Sequence, residues 1–263
     1  MGDARSVWWF GGLSLPRRWL LIGVGAFTVA VLLAAVIPVV LSRLGGDGRV
    51  APSQDRLGPV LLVPGYGGGV AGMTVLAGRL RQATVVRLPQ NATEDLAEQA
   101  RVLDGYVEEA LRGGAPSVDV VGHSAGGVVA RLWVQRHDGP VKARRVVTLG
   151  SPHHGADLAG AAVAPGACPT ACQQLAAGSR LLASLRTSVP VPPVWLSLWT
   201  VQDQTVTPVE SARLEGAINV PVQSICPNLR VSHAALPTDP FVTGLVLTAL
   251  GPGPLVAPPP RPC

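Results

Sequence analysis

Short apolar segments alternate along this chain with stretches of helical periodicity, and this alternation constrains the fold more than any other feature. Each apolar segment has four to seven residues and is almost continuously hydrophobic, as is typical of strands buried on both faces. The predicted strands are 60–63, 84–88, 117–121, 145–149, 194–200 and 220–225, and the predicted helices are 72–82, 93–111, 125–136, 173–185 and 241–250. This order predicts an α/β fold, with a mostly parallel sheet of six or slightly more strands and helices on both faces.

An uncharged apolar run extends from Trp19 to Leu41. As a helix it would reach about 34 Å at ~1.5 Å per residue, which exceeds a hydrocarbon core of roughly 30 Å. The run is longer than a signal-peptide core, and no clear A-x-A site follows it. We therefore favour a transmembrane signal-anchor over a cleaved signal, which could be of the twin-arginine type. Arg17 and Arg18 directly before the run favour a cytoplasmic amino end and an exported domain.

The composition divides the chain into five segments. They are a cytoplasmic segment 1–18, the anchor 19–41, a linker 42–56, an α/β domain 57–250 and a Pro-rich tail 251–263. Hydrophobic residues make up 48% of the chain and charged residues 14%, which excludes an intrinsically disordered protein. The net charge is +5, but many of the arginines flank the apolar run. We therefore expect no nucleic-acid partner.

The four cysteines all follow the apolar run. An even number in an exported domain is compatible with two disulfides, for which three connectivities exist. We favour Cys168–Cys172, which closes a short loop, together with Cys226–Cys263. A zinc site is the alternative, but the paired C-x-x-C spacing is missing. We predict no metal and no cofactor.

The segment GHSAG at 122–126 fits the pattern G-x-S-x-G. The pattern alone is weak, but here it directly follows one predicted strand and directly precedes the predicted helix 125–136. This strand–turn–helix setting presents a nucleophilic serine. Flanking glycines permit close approach of strand and helix, and Ser124 is expected in a strained backbone conformation. An ordinary turn between a strand and a helix is the alternative.

Four further segments are collinear with this motif: VPGYGG at 63–68, LGSPHHG at 149–155, DQTVTP at 203–208 and VSH at 231–233. On these five segments, the chain from about 58 to 250 resembles bacterial lipases and esterases of the α/β-hydrolase superfamily, especially class 2 lipases and the small lidless type. The resemblance implies the α/β-hydrolase fold, hydrolysis of carboxylic esters through an acyl-enzyme, and a lipid or small ester as substrate. We expect a monomer.

A serine nucleophile needs a base and an orienting acid, which follow in the order serine, acid, histidine in this fold. His233 is the histidine that lies late enough with an acid before it. Asp203 follows the predicted strand 194–200, so it should emerge at the same sheet edge as Ser124. Asp239, which could instead cap the last helix, and Glu210 are rival acids.

The oxyanion that forms during acyl transfer needs two N–H donors. One is the backbone of Ala125, which follows the nucleophile, and the resemblance implies Tyr66 as the other. Gly65 and Gly67 in the same loop should let the backbone approach the substrate. A phosphate-binding loop is the alternative, but no Gly-Lys-Ser/Thr follows.

Further residues are expected around the substrate. His123 lies beside the nucleophile, and His153 and His154 are placed at the pocket rim, whereas His137 ends a predicted helix. The segment 153–193, where these enzymes carry a cap, is short and rich in alanine and glycine. We expect a minimal cap, with Leu181 lining an acyl groove and little interfacial activation.

Three other functions use the same residues differently. An acyltransferase or a thioesterase could act through the same triad, with a different acceptor or substrate. A non-catalytic surface binding protein could share the fold, but it would normally have lost a triad residue.

The anchor would place the catalytic domain outside the cell membrane, and a cleaved segment would release it.

Overall fold

The computed structural model describes residues 50–157, 168–260 and 263, together with positions 25, 28, 31, 32 and 34, and divides the chain into units 1–49 and 50–263. The predicted segment 1–18, most of the predicted anchor 19–41 and the first part of the linker lie outside the described residues. Among the described residues, no helix combines the length and the apolar character needed to cross a membrane.

The second unit is built on a parallel sheet. The strands are Val60–Val63 (β1), Ala83–Val85 (β2), Val118–His123 (β3), Ala143–Leu149 (β4), Val194–Trp199 (β5) and Ile218–Pro221 (β6). They form one six-stranded sheet in the order β2-β1-β3-β4-β5-β6, and every neighbouring pair is parallel. The predicted six-stranded parallel sheet is confirmed. All strands therefore end at one edge, here the carboxyl edge, and begin at the opposite amino edge.

Two hydrophobic clusters cover the two faces of this sheet. In β1, Leu61 and Val63 belong to one cluster, whereas Val60 and Leu62 belong to the other. This alternation follows from the two-residue period of a strand. Because both faces are buried, the strand is apolar at every position, as the sequence predicted.

Helices cover both faces. They are Ala71–Ala77 (α1), Leu96–Arg112 (α2), Ala125–Arg136 (α3), Gly139–Lys142 (α4), Thr170–Leu175 (α5), Arg180–Ala183 (α6) and Pro240–Leu250 (α7). α2 and α3 contribute to the cluster of Leu61, and α1 and α7 contribute to the cluster of Leu62. Asp95 begins α2 by accepting hydrogen bonds from the N–H groups of Ala97 and Glu98 at 2.7 and 3.2 Å, which satisfies two otherwise unpaired donors.

The predicted helix 72–82 ends at Ala77, and the predicted strand 84–88 is Ala83–Val85. Two further predicted elements differ in kind. The predicted helix 173–185 is divided between α5 and α6, because Ala176 is extended and Gly178 has a φ of 74°. Ser179 then begins α6 by accepting a hydrogen bond from the Leu182 N–H at 3.3 Å. The predicted strand 220–225 is instead β6 followed by a 3-10 turn at 222–224. Pro221 has no N–H to continue the ladder.

Both predicted disulfides are present. Cys168 is bonded to Cys172 and Cys226 to Cys263, with Cα–Cα separations of 5.3 and 5.2 Å. The favoured connectivity is therefore confirmed. The second bond attaches the end of the Pro-rich tail to the loop after β6.

Two adjacent buried arginines at the start of β4 form a cluster with Asp119 and Gln54, here the amino-edge clamp. Arg144 donates to both carboxylate oxygens of Asp119 at 3.0 and 2.5 Å, and to the Gln54 carbonyl at 3.0 Å. Arg145 donates to the carbonyls of Ala249 and Gly253, where α7 ends. Gln54, which the sequence placed in the linker, is thus hydrogen-bonded to the domain.

Candidate active site

Ser124 occupies a sharp turn between β3 and α3 at the carboxyl edge. Its φ of 53° and ψ of −125° are rare for a residue with a Cβ, and such strain costs roughly 1–3 kcal/mol. The Ser124 N–H donates to the Leu149 carbonyl at the end of β4 at 2.8 Å. The strained conformation predicted from the motif is confirmed, and it lies directly before the first turn of a helix.

The glycines of the motif permit this turn. A Cβ on Gly122 would lie 2.5 Å from the Cα of Gly127. A Cβ on Gly126 would overlap the Val63 carbonyl at the end of β1. Larger residues at either position would push α3 away from the sheet and displace the serine that begins it.

His233 and Asp203 form a buried pair at the same edge. The Nδ1 of His233 lies 2.6 Å from Oδ2 of Asp203, and the two residues are 8% and 6% exposed. The other carboxylate oxygen accepts hydrogen bonds from the N–H groups of Thr205 and Val206 at 2.9 and 2.8 Å. The turn after β5 therefore fixes the carboxylate that orients the imidazole.

The rival acids have other positions. Asp239 begins α7 and accepts hydrogen bonds from the N–H groups of Phe241 and Val242 at 2.9 and 3.0 Å. Glu210 is exposed in a 3-10 turn at 209–212. His137 ends α3, as predicted, and lies 3.5 Å from Asp104. Asp203 is therefore the carboxylate that the structure pairs with His233.

The environment keeps Asp203 ionised. Burial alone would raise its pKa, but the hydrogen bonds from His233, Val206 and Thr205 outweigh burial, and the pKa lies below its usual value of 3.8. A carboxylate that accepts several hydrogen bonds is stabilised in its charged form. At neutral pH it can therefore hold the Nδ1 proton of His233 and leave Nε2 as the basic nitrogen.

Gly150 brings the serine turn and the histidine pair together. It follows β4 with a φ of 56°, and a Cβ there would lie 3.1 Å from Nδ1 of His233 and 3.2 Å from Oδ2 of Asp203. The residue before it, Leu149, accepts the Ser124 N–H. Gly150 lies in the segment LGSPHHG at 149–155, but no role was predicted for it. The available signal was a glycine directly after a fully buried strand.

Among the described residues, the Ser124 hydroxyl makes no hydrogen bond to His233. Such bonds are often long or poorly aligned before substrate binds and shorten in the complex. These contacts place the serine backbone and the Asp203–His233 pair around Gly150. The catalytic roles assigned to these three side chains remain predictions.

His123 supports the backbone of His233. Its Nε2 lies 3.1 Å from the His233 carbonyl, and the two ring centroids are 4.9 Å apart. Burial, followed by the nearby His233 imidazole, lowers the pKa of His123 to about 4. The ring is thus neutral at pH 7, and we assign the proton to Nε2 because a carbonyl faces it. No local pattern predicts this contact, since the two residues meet only in the fold.

The glycine-rich loop after β1 lies against Ser124. A Cβ on Gly65 would lie 2.9 Å from the Cβ of Ser124 and 3.5 Å from its Oγ. Gly67 has a φ of 84°, and Tyr66 between them is 42% exposed. Ala125 is buried at the start of α3. The two residues predicted to donate to the oxyanion are thus chain neighbours of this contact: Ala125 follows Ser124, and Tyr66 follows Gly65.

His153 and Leu181, both predicted to contact the substrate, differ in their burial. His153 is 1% exposed, and its Nε2 lies 3.1 Å from the Thr148 hydroxyl, so it is an interior residue and the prediction of a rim position is wrong. Its carbonyl accepts a hydrogen bond from Arg131 at 2.7 Å. Leu181 on α6 is half-buried and packs against the cluster of Leu61.

Two neutral histidines, the half-buried His123 and the buried His153, should make the protein lose stability in mild acid. Burial is the main reason that the pKa of His123 lies at about 4 and that of His153 well below 6.5. The unfolded chain takes up a proton on each near pH 6.5, and the folded chain does not. The stability that the neutral histidines contribute is therefore present above pH 6.5 and is lost as the pH falls toward 4. For His123, we expect a loss of about 2 kcal/mol between pH 7 and pH 5.

Denaturant unfolding at pH 7, 6 and 5 measures this loss. The variant His123→Gln, which keeps a side-chain N–H donor, should lose about 2 kcal/mol less than the wild type over the same interval. An equal loss in both proteins would contradict a neutral His123.

The sheet order and the serine turn define the α/β-hydrolase fold, and solved structures agree. The chain is similar to lipase B of Aspergillus fumigatus, with 21% identity and a TM-score of 0.61 over 80% of this chain and 56% of that one. It is also similar to the mature lipase BlEst2 of Bacillus licheniformis, with 20% identity and a TM-score of 0.59 over 78% and 96% of the two chains. A protein of Listeria innocua gives 16% identity and a TM-score of 0.51 over 72% and 92%.

The chain therefore spans a little over half of the Aspergillus lipase, at 56%, and almost all of BlEst2. More particularly, residues 91–161 match the family model described as a PGAP1-like alpha/beta domain. This range includes β3, Ser124, α3 and β4. A search of curated protein sequences finds no match. The predicted α/β-hydrolase fold is thus confirmed.

Proposed function

We propose that this protein is a serine carboxylic-ester hydrolase of the lipase or esterase type. The observation that carries the proposal is the strained Ser124 turn at the carboxyl edge, next to a buried Asp203–His233 pair at 2.6 Å. A strained turn with a serine costs stability, and such turns persist where function requires them. The lipases of similar fold support the same conclusion.

In the first half of the reaction, Nε2 of His233 takes the proton from the Ser124 hydroxyl as Oγ attacks the ester carbonyl carbon. The backbone N–H groups of Tyr66 and Ala125 stabilise the oxyanion of the tetrahedral intermediate. The intermediate then collapses, and the bond between the acyl carbon and the alcohol oxygen breaks. His233 gives its proton to that oxygen, the alcohol leaves, and the acyl group remains on Ser124.

In the second half, water replaces the alcohol. His233 takes a proton from the water as it attacks the acyl-enzyme, and returns that proton to Oγ of Ser124 when the acid is released. Asp203 stays ionised throughout and stabilises the imidazolium. The acyl chain would lie between the loop of Gly65 and Gly67 and the half-buried Leu181.

The test uses the full-length protein with p-nitrophenyl esters from acetate to palmitate and with a fluorophosphonate probe. We expect ester hydrolysis, and labelling of Ser124 that is lost in Ser124→Ala. A rate that changes smoothly across the micelle concentration of the substrate would agree with the predicted minimal cap. A protein that neither hydrolyses any ester nor reacts with the probe would instead be the non-catalytic binding protein considered above.

We also propose that the hydrolase acts outside the cytoplasm. Two disulfides are formed, and such bonds persist in oxidising compartments. The apolar run 19–41 could supply the export signal, as a retained anchor or as a cleaved segment. Cell fractionation and immunoblotting should show a full-length membrane species in the first case and a shorter released species in the second. A cytosolic full-length protein with free thiols would contradict export.

A further inference from the structure

A cleft of about 430 Å³, here the histidine cleft, opens beside His233. This size is within the range of small-molecule sites, roughly 300–1,000 Å³. One wall is the loop after β5, with Gln202, Gln204 and Thr205, and the other is the segment 230–234, which includes His233. The cleft is thus bounded by the two loops that carry the candidate acid and base.

Hydrogen bonds hold the two walls at a fixed separation. The Gln202 side chain accepts from the Val231 N–H at 3.2 Å and donates to the Leu229 carbonyl at 3.4 Å. Gln223 also donates to the Leu229 carbonyl, at 3.3 Å. The cleft is therefore part of the folded framework, with walls that are tied to each other across it.

Arg230 gives the histidine cleft a positive charge. Its side chain is exposed, no acidic residue lines the cleft, and no ion pair of Arg230 occurs within the described part of the chain. The remaining polar lining consists of amide and hydroxyl groups and His233. An unpaired guanidinium among neutral hydrogen-bonding groups attracts an anion and offers it planar donors.

The chemistry of ester cleavage determines which part of a substrate lies near His233. The leaving oxygen must come within hydrogen-bond distance of the imidazole to receive its proton. The alcohol portion attached to that oxygen therefore extends along the side of the site that His233 forms. The glycine-rich loop at Gly65 lies on the Ser124 side, where the acyl carbonyl binds.

We propose that the histidine cleft receives the alcohol portion of the ester, and that Arg230 selects alcohols with a carboxylate or phosphate group. This proposal rests on the proposed function, since it assigns one subsite of that reaction. It names the substrate class as an ester of a polar, anionic alcohol. A neutral fatty alcohol would form no ion pair with the Arg230 guanidinium.

The experiment compares esters with one acyl group and matched alcohols. The full-length protein is assayed with 4-butyryloxybenzoate, 4-butyryloxybenzamide and 4-butyryloxyphenyl phosphate. We expect kcat/KM to be about fivefold higher for the carboxylate than for the amide, because an exposed ion pair contributes at most about this factor. The phosphate ester distinguishes the two anions, because the anionic ester with the higher kcat/KM identifies the natural group. About 0.5 M salt should reduce the preference.

Arg230→Gln should abolish the preference, so that the carboxylate and amide esters are hydrolysed with similar kcat/KM. The control is Arg81→Gln, which removes the same charge from the cleft near Gly58 and Val60 at the amino edge and should keep the preference. An unchanged ratio in Arg230→Gln, or a wild-type preference for the amide ester, overturns the cleft proposal while ester hydrolysis stands. If no ester is cleaved and Ser124 resists the fluorophosphonate, the proposed function fails and the cleft proposal fails with it.

Discussion

Ser124→Ala is expected to lower kcat for ester hydrolysis by about 10⁴-fold or more. The variant removes the oxygen that forms the acyl-enzyme, and a water molecule would have to attack the ester directly. Binding and the oxyanion donors would remain, so a small residual rate over water should persist. Single-turnover and steady-state assays with p-nitrophenyl butyrate measure the loss.

The backbone of the turn provides a control for folding. Alanine keeps a Cβ, so the φ of 53° at position 124 stays strained and the unfolding free energy should hardly change. Ser124→Gly should be as inactive, but more stable by up to about 1–3 kcal/mol, because glycine adopts this φ without strain. If Ser124→Ala retains more than about a tenth of the wild-type kcat, another residue is the nucleophile.

Asp119→Asn is expected to destabilise the protein by about 3–5 kcal/mol, although it lies at the opposite edge of the sheet from Ser124. Asp119 and Arg144 are 1% and 0% exposed. The amide is similar in size but carries no charge, so the Arg144 guanidinium would be buried without a counterion. Urea unfolding at neutral pH measures the loss.

The matched control is an exposed ion pair. Glu98 and Arg101 pair across one turn of α2, with side chains that are 57% and 62% exposed. Glu98→Gln should cost less than about 1 kcal/mol, because solvent screens such pairs. A cost for Asp119→Asn as small as that of Glu98→Gln would mean that carbonyls alone satisfy Arg144.

Local sequence signals predicted much of this fold. β1 spans the predicted range 60–63, and α3 spans the predicted range 125–136. Both signals are local: a strand covered on two faces is apolar throughout, and the helix after the nucleophile begins where the glycines allow a sharp turn. The chain order of the motifs then identified Asp203 and His233, and the structure places these two in contact.

The differences arise from contacts between distant residues. A pair of arginines at the start of a strand is unusual for an interior position. Two partners of Arg144, Gln54 and Leu250, lie 90 and 106 residues away from it in the chain. Similarly, His123 and the carbonyl of His233 are separated by 110 residues. The burial of His153 depends on how the segment after β4 turns back under Arg131. None of these relationships has a periodic signal in the sequence.

The amino-edge clamp determines from which side the domain can be held. Gln54 and the last turn of α7 meet at Arg144 and Arg145, so the polypeptide joins the domain at the pole opposite Ser124. A resin, a sensor surface or a fusion partner coupled at residue 50 would therefore be attached at the amino edge of the sheet. The carboxyl edge, where Ser124 lies, would stay exposed to solvent.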